Sequence, residues 1–265
     1  MNEQFGHLAA HYDELMEVVP YDAWVDYVET LFLWAEHEPQ KNDYRVLDCA
    51  CGTGNVSFEM ARRGWNVVGV DLSPEMIEIA QQKTRDLAPL ESAPFVSGDF
   101  SPAPHFVCDD LTTFDLGQTF NGATCLYDSL NYILEPENLK MAFARIAAHV
   151  EKDGVFVFDM NSDWAFRADL FTQRNSDPRK NLHYDWNADF DENSRVCSVR
   201  MEFRRSMEGR VETFYETHRE RAYRRAEVEA MLGETGWQLL RAFDAYTMNA
   251  PHAKSERWYF VARKI

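Results

Sequence analysis

The sequence predicts an α/β protein. Its core is a seven-stranded, mostly parallel sheet with helices on both faces, preceded by a helical cover and interrupted late by an antiparallel β-meander. Three observations predict this. Short apolar runs alternate with helical stretches over residues 44–160, the rhythm of parallel strands joined by right-handed crossovers. The first strand-to-helix turn carries two glycines, Gly52 and Gly54. A strict period of two then takes over across about 181–222, as in neighbouring antiparallel strands.

Residues 10–36 read as helical, with Tyr21, Trp24, Val25, Tyr27, Val28, Leu31 and Phe32 recurring at spacings of three and four, and Pro39 closing the region. YRVLDCA (44–50) is a strand, and the glycine turn after it opens the helix NVSFEMARRG, stopped by Gly64. WNVVGVD (65–71) is a second strand. Ser73 then N-caps a helix with Pro74 at its first position, continuing from Glu75 to Asp86. Residues 88–104 hold Pro89, Pro94, Pro102 and Pro104 and read as a surface loop. HFVCDD (105–110) and GATCLYDS (122–129) are the next strands, Pro136 opens a helix to Val150, and VFVFDM after Gly154 is the fifth strand.

In the meander, Tyr184, Trp186, Ala188 and Phe190 share one face of the first run, and Cys197, Val199, Met201 and Phe203 share one face of the second. Turn signals stand at Asp191-Glu192-Asn193 and Glu208-Gly209, and a third run, VETFYETHRERAY, follows. RRAEVEAMLGETG returns to helix, and strands at 237–247 and 255–263 complete the seven. These boundaries divide the chain into a cover (1–40), a ligand-binding core (41–162), the meander (163–222) and a final helix with two core strands (223–265).

The 265 residues include 44 acidic and 27 basic ones, for a net charge of −17. An acidic surface argues against nucleic acid and against anionic lipid as partners. The acid is uneven: residues 163–222 hold 12 acidic and 11 basic residues, which marks that stretch as a module of its own. No apolar run reaches the ~18 residues of a membrane span, and the start lacks a basic region followed by an apolar block, so a cytoplasmic protein is expected. The five cysteines, Cys49, Cys51, Cys108, Cys125 and Cys197, form no CxxC pair and sit in apolar, strand-like settings, which fits reduced thiols and no metal.

The chemistry concentrates in Asp48-x-Ala50-x-Gly52-x-Gly54, followed 17 residues later by Asp71 at the end of the next strand. Glycines at such a turn let a ligand approach the backbone, the helix start offers free N–H groups, and a carboxylate at the second strand end accepts ribose hydroxyls. A dinucleotide would place a pyrophosphate at the helix start. S-adenosyl-L-methionine would place there a carboxylate together with an ammonium and a sulfonium. Asp48 repels the first and suits the second, and Ser57 stands where a dinucleotide fingerprint has its third glycine. The cofactor expected is therefore S-adenosyl-L-methionine, with a nicotinamide dinucleotide as the rival.

VLDCACGTG, VVGVDLSPEMIEIA and CLYDSLNYI resemble successive motifs of the class I S-adenosylmethionine-dependent methyltransferases, over about 40–160 and, with the last two strands, beyond. AAHYDELM with PYDAW behind it resembles the bacterial small-molecule members, whose glycine and amino-sugar N-methyltransferase relatives carry a β insertion as part of a substrate lid. The resemblance implies a Rossmann-like core and methyl transfer to a nitrogen or oxygen of a small molecule. It implies that Ala50, Gly52 and Gly54 line the methionine end with Asp48 nearby, that Asp71 holds the ribose, and that Leu72 and Met76 flank the adenine. Asp110 would accept from the adenine amino group, with Asp109 as fallback, and the Leu111 backbone would meet the ring. Leu126 or Tyr127 would lie under the sulfonium, and Tyr12 and Trp24 would close over the cofactor. Ala50 departs from the family, which has a glycine there, and its methyl narrows the loop.

Asp128 and Asn131 follow the fourth strand, where acceptors bind, and are the expected substrate contacts; a structural turn is the alternative. Asp128, Asp159 and Asn161 also stand where catechol-type enzymes hold magnesium, although the β insertion points to a metal-free branch. A general base, if one operates, is sought in His11, Tyr132 and the meander histidines His183 and His218. His37, His105 and His149 read as solvated, and Arg200, Arg204 and Arg205 as an exposed charged strand face. The expected partner is a small-molecule methyl acceptor, with self-association to a homodimer as a further expectation. An oxidoreductase, an RNA methyltransferase and a non-catalytic S-adenosylmethionine-binding protein are the competing readings.

Overall fold

The structure, a computed structural model, describes residues 4–35, 44–87, 103–176, 181–207 and 210–265. Pro39, the prolines at 89, 94 and 102, and the Glu208-Gly209 turn lie outside the described residues.

The main sheet is built from β1 (Arg45–Cys49), β2 (Asn66–Asp71), β3 (His105–Cys108), β4 (Phe120–Cys125), β5 (Val150–Asn161), and two late strands, Trp237–Asp244 and Arg257–Lys264. Four more strands lie between β5 and these: β6 (Gln173–Asn175), β7 (Leu182–Asp191), β8 (Val196–Met207) and β9 (Arg210–Arg221). The late pair is thus β10 and β11. The seven-stranded order is β10-β11-β5-β4-β1-β2-β3. β1 to β5 are mutually parallel, while β11 runs antiparallel to both β5 and β10. Strand order reverses between β1 and β4, so their C-terminal ends open a crevice at the topological switch point.

Among the described residues seven helices accompany the strands: α1 (Ala9–Leu15), α2 (Tyr21–Trp34), α3 (Asn55–Arg62), α4 (Pro74–Leu87), α5 (Pro136–His149), α6 (Asp163–Arg167) and α7 (Arg225–Glu234). Helices cover both faces, which is why the central strands read as unbroken apolar runs. Phe156, Phe158 and Met160 of β5 pack with Phe143 of α5 and Val228 of α7 on one face. Val155 and Val157 of the same strand pack with Val25, Val28 and Phe32 of α2 on the other. The Ser73 hydroxyl accepts from the Met76 N–H at 3.2 Å, the cap expected for α4.

Several elements differ from the sequence reading. The helical region over 10–36 is two helices, because Pro20 disfavours helical backbone at the residue before it and starts α2 afresh. β4 ends at Cys125 rather than at residue 129: Tyr127 and Asp128 both take left-handed backbone (φ 63° and 52°), and a short 3-10 turn, Ser129–Tyr132, follows.

The meander forms a separate four-stranded antiparallel sheet, β6-β7-β8-β9. Its short first strand, β6, was not expected, since three polar residues carry no periodic signal. The inward faces of β7 and β8 gather Tyr184, Trp186, Cys197, Val199 and Phe203 around Leu8, Tyr12 and Leu15. The second sheet therefore packs on the N-terminal segment, and together they roof the C-terminal edge of the main sheet. All five thiols are unpaired, and Cys108 is exposed. Among the described residues no helix is long and apolar enough to cross a membrane.

Candidate functional site

A cavity of about 220 Å³ occupies the crevice between the β1 and β4 ends and the roof. Its floor begins with the turn after β1. Ala50 has φ 54°, Gly52 φ 55° and Gly54 φ 83°, so three alternate residues use left-handed backbone. A non-glycine residue there costs roughly 1–2 kcal/mol, which is the physical content of Ala50's departure from glycine. At Gly52 an added Cβ would meet open space, so its requirement is conformational. At Gly54 an added Cβ would lie 2.5 Å from the Phe106 ring, so its requirement is also close packing. Gly54 consequently holds the turn from behind and does not line the cavity.

Two carboxylates flank this turn. Asp71 accepts from the Gly52 N–H at 2.8 Å through one oxygen and from the Ser73 N–H at 2.9 Å through the other. Burial raises its pKa, against those hydrogen bonds. Asp48, 2% exposed, accepts from the Ser57 hydroxyl at 2.5 Å and the Thr124 hydroxyl at 3.0 Å. Burial pushes Asp48 up to about 6, the two hydroxyl bonds opposing. No ion pair to Asp48 is present among the described residues, and its carboxylate borders the cavity. A buried anion served only by neutral donors fits a cationic ligand group.

Leu72, Met76, Asp110 and Leu111 line one end of the cavity. One Asp110 oxygen accepts from both the backbone and the hydroxyl of Thr112, at 2.8 and 2.7 Å. Asp109 instead bonds the Asp110 N–H and is not in the lining. The other end is aromatic: Tyr12, Tyr21, Trp24, Tyr127 and Tyr132, with Leu126, Phe5 and Ser129. Trp24 lies 5.3 Å from the Tyr127 ring. Burial raises the Tyr12 and Tyr132 hydroxyls well above their ordinary range, so both are neutral donors. Asp13 fastens α1 over the glycine turn by accepting from the Thr53 hydroxyl at 2.7 Å and the Asn55 amide at 3.0 Å, with Lys83 at 2.5 Å.

Of the expected residues, Tyr12, Trp24, Asp48, Ala50, Gly52, Asp71, Leu72, Met76, Asp110, Leu111, Leu126, Tyr127 and Tyr132 meet around this one cavity. Besides Gly54, three others are placed elsewhere. His11 lies outside it, 2.8 Å from an Arg205 nitrogen and stacked on Phe214, and burial with the Arg205 charge lowers its pKa. Asp128 turns away to Arg257 at 2.5 Å, and the same guanidinium binds Asp159. The Asn131 amide donates to the Arg221 and Asn161 carbonyls and its oxygen accepts from the Asn161 N–H, so it ties the 3-10 turn to β5 and β9. Asp128, Asp159 and Asn161 do not converge as metal ligands: the Asn161 amide donates to Glu220.

His149, expected in solvent, is buried, and so is His218 of the meander. His149 accepts from the Leu116 N–H at 3.0 Å and stacks on Phe114, and His218 is 1% exposed. Tyr21 was legible as an aromatic one turn from Trp24, whereas Phe5 and Ser129 carry no sequence signal.

Residues 46–154 match the model of a methyltransferase domain family. The chain is 34% identical over 259 residues to the putative methyltransferase YqeM of Bacillus subtilis (strain 168), covering 97% of this chain and 95% of that one. It is 29% identical over 154 residues to the dTDP-3-amino-3,6-dideoxy-alpha-D-glucopyranose N,N-dimethyltransferase of Streptomyces fradiae, covering 58% of this chain and 53% of that one. Among solved structures, an S-adenosylmethionine-dependent methyltransferase from Clostridium acetobutylicum ATCC 824 superposes with a TM-score of 0.80 at 26% identity, covering 98% of each chain.

Proposed function

Since the chain belongs to the class I S-adenosylmethionine-dependent methyltransferases, we propose that it methylates a nitrogen or oxygen of a small molecule enclosed between the glycine turn and the aromatic end of the cavity. The observation that carries this reading is the roof. α1 and the residues before it, backed by the second sheet, close over the switch-point crevice, leaving a cavity lined by the glycine turn, by Leu72, Met76, Asp110 and Leu111, and by a cluster of aromatics. The partial likeness to the Streptomyces fradiae amino-sugar N,N-dimethyltransferase supports a small acceptor.

When bound, S-adenosylmethionine supplies a methyl group made electrophilic by its positive sulfur. The residues of this chain bind and align. Asp48 would face the ammonium, Gly52 would present open backbone to the amino-acid end, Asp71 would take the ribose hydroxyls, and Asp110 with Leu72, Met76 and Leu111 would take the adenine. Tyr12 and Trp24 close above, and Leu126 with Tyr127 floor the reacting end. Alignment of acceptor and methyl can supply on the order of 7–11 kcal/mol of barrier lowering, and the aromatic enclosure keeps water out. His11, Asp128 and Asn131 have no part in this assignment, because their side chains are engaged outside the cavity.

The experiment is a calorimetric titration with S-adenosylmethionine followed by transfer of a tritiated methyl group to amino sugars, other amines and phenols, with product mass as readout. Label in a small molecule is expected. Label in added RNA instead, or none in any small molecule despite a bound cofactor, refutes the acceptor reading.

A further inference from the structure

A buried run of hydrogen bonds leads from the aromatic end of the cavity into the roof. Tyr132, which lines the cavity, places its hydroxyl 3.0 Å from Nδ1 of His218. The other ring nitrogen, Nε2, lies 2.7 Å from a Glu216 carboxylate oxygen. His218 and Glu216 are 1% and 6% exposed and stand two residues apart on β9, so they share its inward face. Glu216 also accepts from the backbone N–H of Leu8 at 2.6 Å and of Phe5 at 3.0 Å. The Phe5 ring covers the pair, 4.4 Å from His218 and 5.3 Å from Tyr132.

The order of donors follows from this geometry. A carboxylate at Nε2 favours a proton on that nitrogen, which leaves Nδ1 as an acceptor for the Tyr132 hydroxyl. Burial disfavours the Glu216 anion, but hydrogen bonds from His218 and from the Leu8 and Phe5 amides outweigh it and hold the carboxyl below its ordinary range. The same three-part arrangement, an acidic group orienting an imidazole that receives a hydroxyl proton, underlies general-base catalysis elsewhere.

We propose that Tyr132, His218 and Glu216 form a proton relay for the methyl acceptor, with Tyr132 as the catalytic residue and the other two as positioning residues. The proposal rests on the reading that the acceptor binds at the aromatic end. The acceptor's lone pair forms a bond to the methyl carbon as the carbon–sulfur bond breaks, its pair going to sulfur. The acceptor's proton passes to the Tyr132 oxygen, and the Tyr132 proton passes to Nδ1 of His218. The positive charge that began on sulfur ends on the imidazole, facing the Glu216 carboxylate. The charged and titratable groups that act most strongly on Tyr132, namely Glu220, Asp128, Tyr12 and Tyr127, are acidic or neutral, so they favour a proton arriving there. Glu216 is held by residues 5–8, so the relay is complete only with the N-terminal segment in place.

Full-length protein tests this by two readouts. In nitrogen-15 spectra of histidine-labelled protein loaded with S-adenosylhomocysteine, His218 is expected as the Nε2–H tautomer, with its ring-nitrogen signals moved by both Tyr132→Phe and Glu216→Gln. With the best-methylated member of a panel of glucosamine, benzylamine and catechol, Tyr132→Phe and His218→Gln are expected to lower kcat by about 10²–10⁴-fold. Calorimetric affinity for S-adenosylmethionine should stay unchanged in His218→Gln. An Nδ1–H tautomer, or variants with wild-type kcat, overturns the relay, as does loss of cofactor binding in Tyr132→Phe. A wild-type protein that binds S-adenosylmethionine but methylates none of the panel counts against the acceptor reading; the tautomer and its dependence on Tyr132 and Glu216 then decide the relay alone.

Discussion

Replacing Asp48 by Asn removes a buried charge while keeping the side chain's shape. Of the Ser57 and Thr124 hydroxyls, which donate to separate Asp48 oxygens at 2.5 and 3.0 Å, one can rotate to accept from the new amide nitrogen while the other still donates to its oxygen. Burial lifts the Asp48 carboxyl from 3.8 to about 6, so the folded protein holds this proton more tightly than the unfolded chain does. A group of that kind favours the fold fully below about 3.8, and the benefit is lost as pH rises through about 6. The difference is on the order of 3 kcal/mol, at about 1.4 kcal/mol per pH unit. Ligand-free Asp48→Asn should therefore resist urea better than wild type at about pH 8, by up to ~3 kcal/mol, and the advantage should fade at about pH 4. Binding should go the other way. An ammonium beside Asp48 stabilises the ionised form, so wild-type affinity for S-adenosylmethionine should climb with pH through about 6. The Asn variant should lose that climb and bind more weakly by roughly 1.5–3 kcal/mol, the range for a hydrogen bond to a charged group. Urea titrations and calorimetry at both ends of the pH range measure the two effects. Equal affinity of the two proteins at high pH, or a ligand-free Asn variant less stable than wild type there, refutes the electrostatic reasoning.

Asp71→Ala should weaken S-adenosylmethionine binding by roughly 1.5–3 kcal/mol in calorimetry, part of it through the Gly52 N–H that loses its acceptor; unchanged affinity would remove Asp71 from the ribose role. Gly54→Ala combines left-handed backbone with a methyl driven into Phe106, so denaturation should show a loss of roughly 2–5 kcal/mol, and a neutral effect would mean the turn is not held as described. Arg257→Met leaves the Asp128 and Asp159 carboxylates buried without their cation and should cost about 3–5 kcal/mol in the same assay, with a wild-type midpoint as the contrary result.

The core was legible because its signals are local. Apolar runs ended by Gly52, Gly54 and Gly64 located β1, α3 and β2, and Asp48 and Asp71 could be placed at strand ends from spacing alone. The site's floor follows from those positions. What stayed hidden depends on distant pairing. Asp128 looked like a substrate contact because it follows β4, but Arg257, 129 residues later, claims it. Arg257 itself reads as one polar residue at a strand start. Asn131 looked the same way and serves as a backbone brace instead. His11 sits one residue from Tyr12 in a helical segment, and only the helix's orientation decides which of the two faces inward.

β9 shows the same limit and also what the overall charge is for. In VETFYETHRERAY alternation has two solutions, since both faces are polar, and the arginine face was the natural one to leave in water. The structure leaves Thr217 and Arg219 exposed and turns Glu216, His218 and Glu220 inward, which holds only because Leu8, Phe5, Asn161 and Tyr132 supply partners for them. The net charge of −17 excluded polyanionic partners on the assumption of an acidic surface. Part of that acid lies inside instead. Asp48, Asp71, Asp128, Asp159 and Glu220 all have carboxyls raised by burial, and Arg257 is the guanidinium set among Asp128, Asp159 and Glu220. Of these, Asp48 and Asp71 line the cavity, together with Asp110, and carboxylates on the wall of a low-dielectric pocket concentrate its field inward. On the proposed assignment such a field would attract a ligand carrying both an ammonium and a sulfonium and would relax when methyl transfer leaves the sulfur neutral, so the acids proposed to bind the cofactor would also favour release of its product.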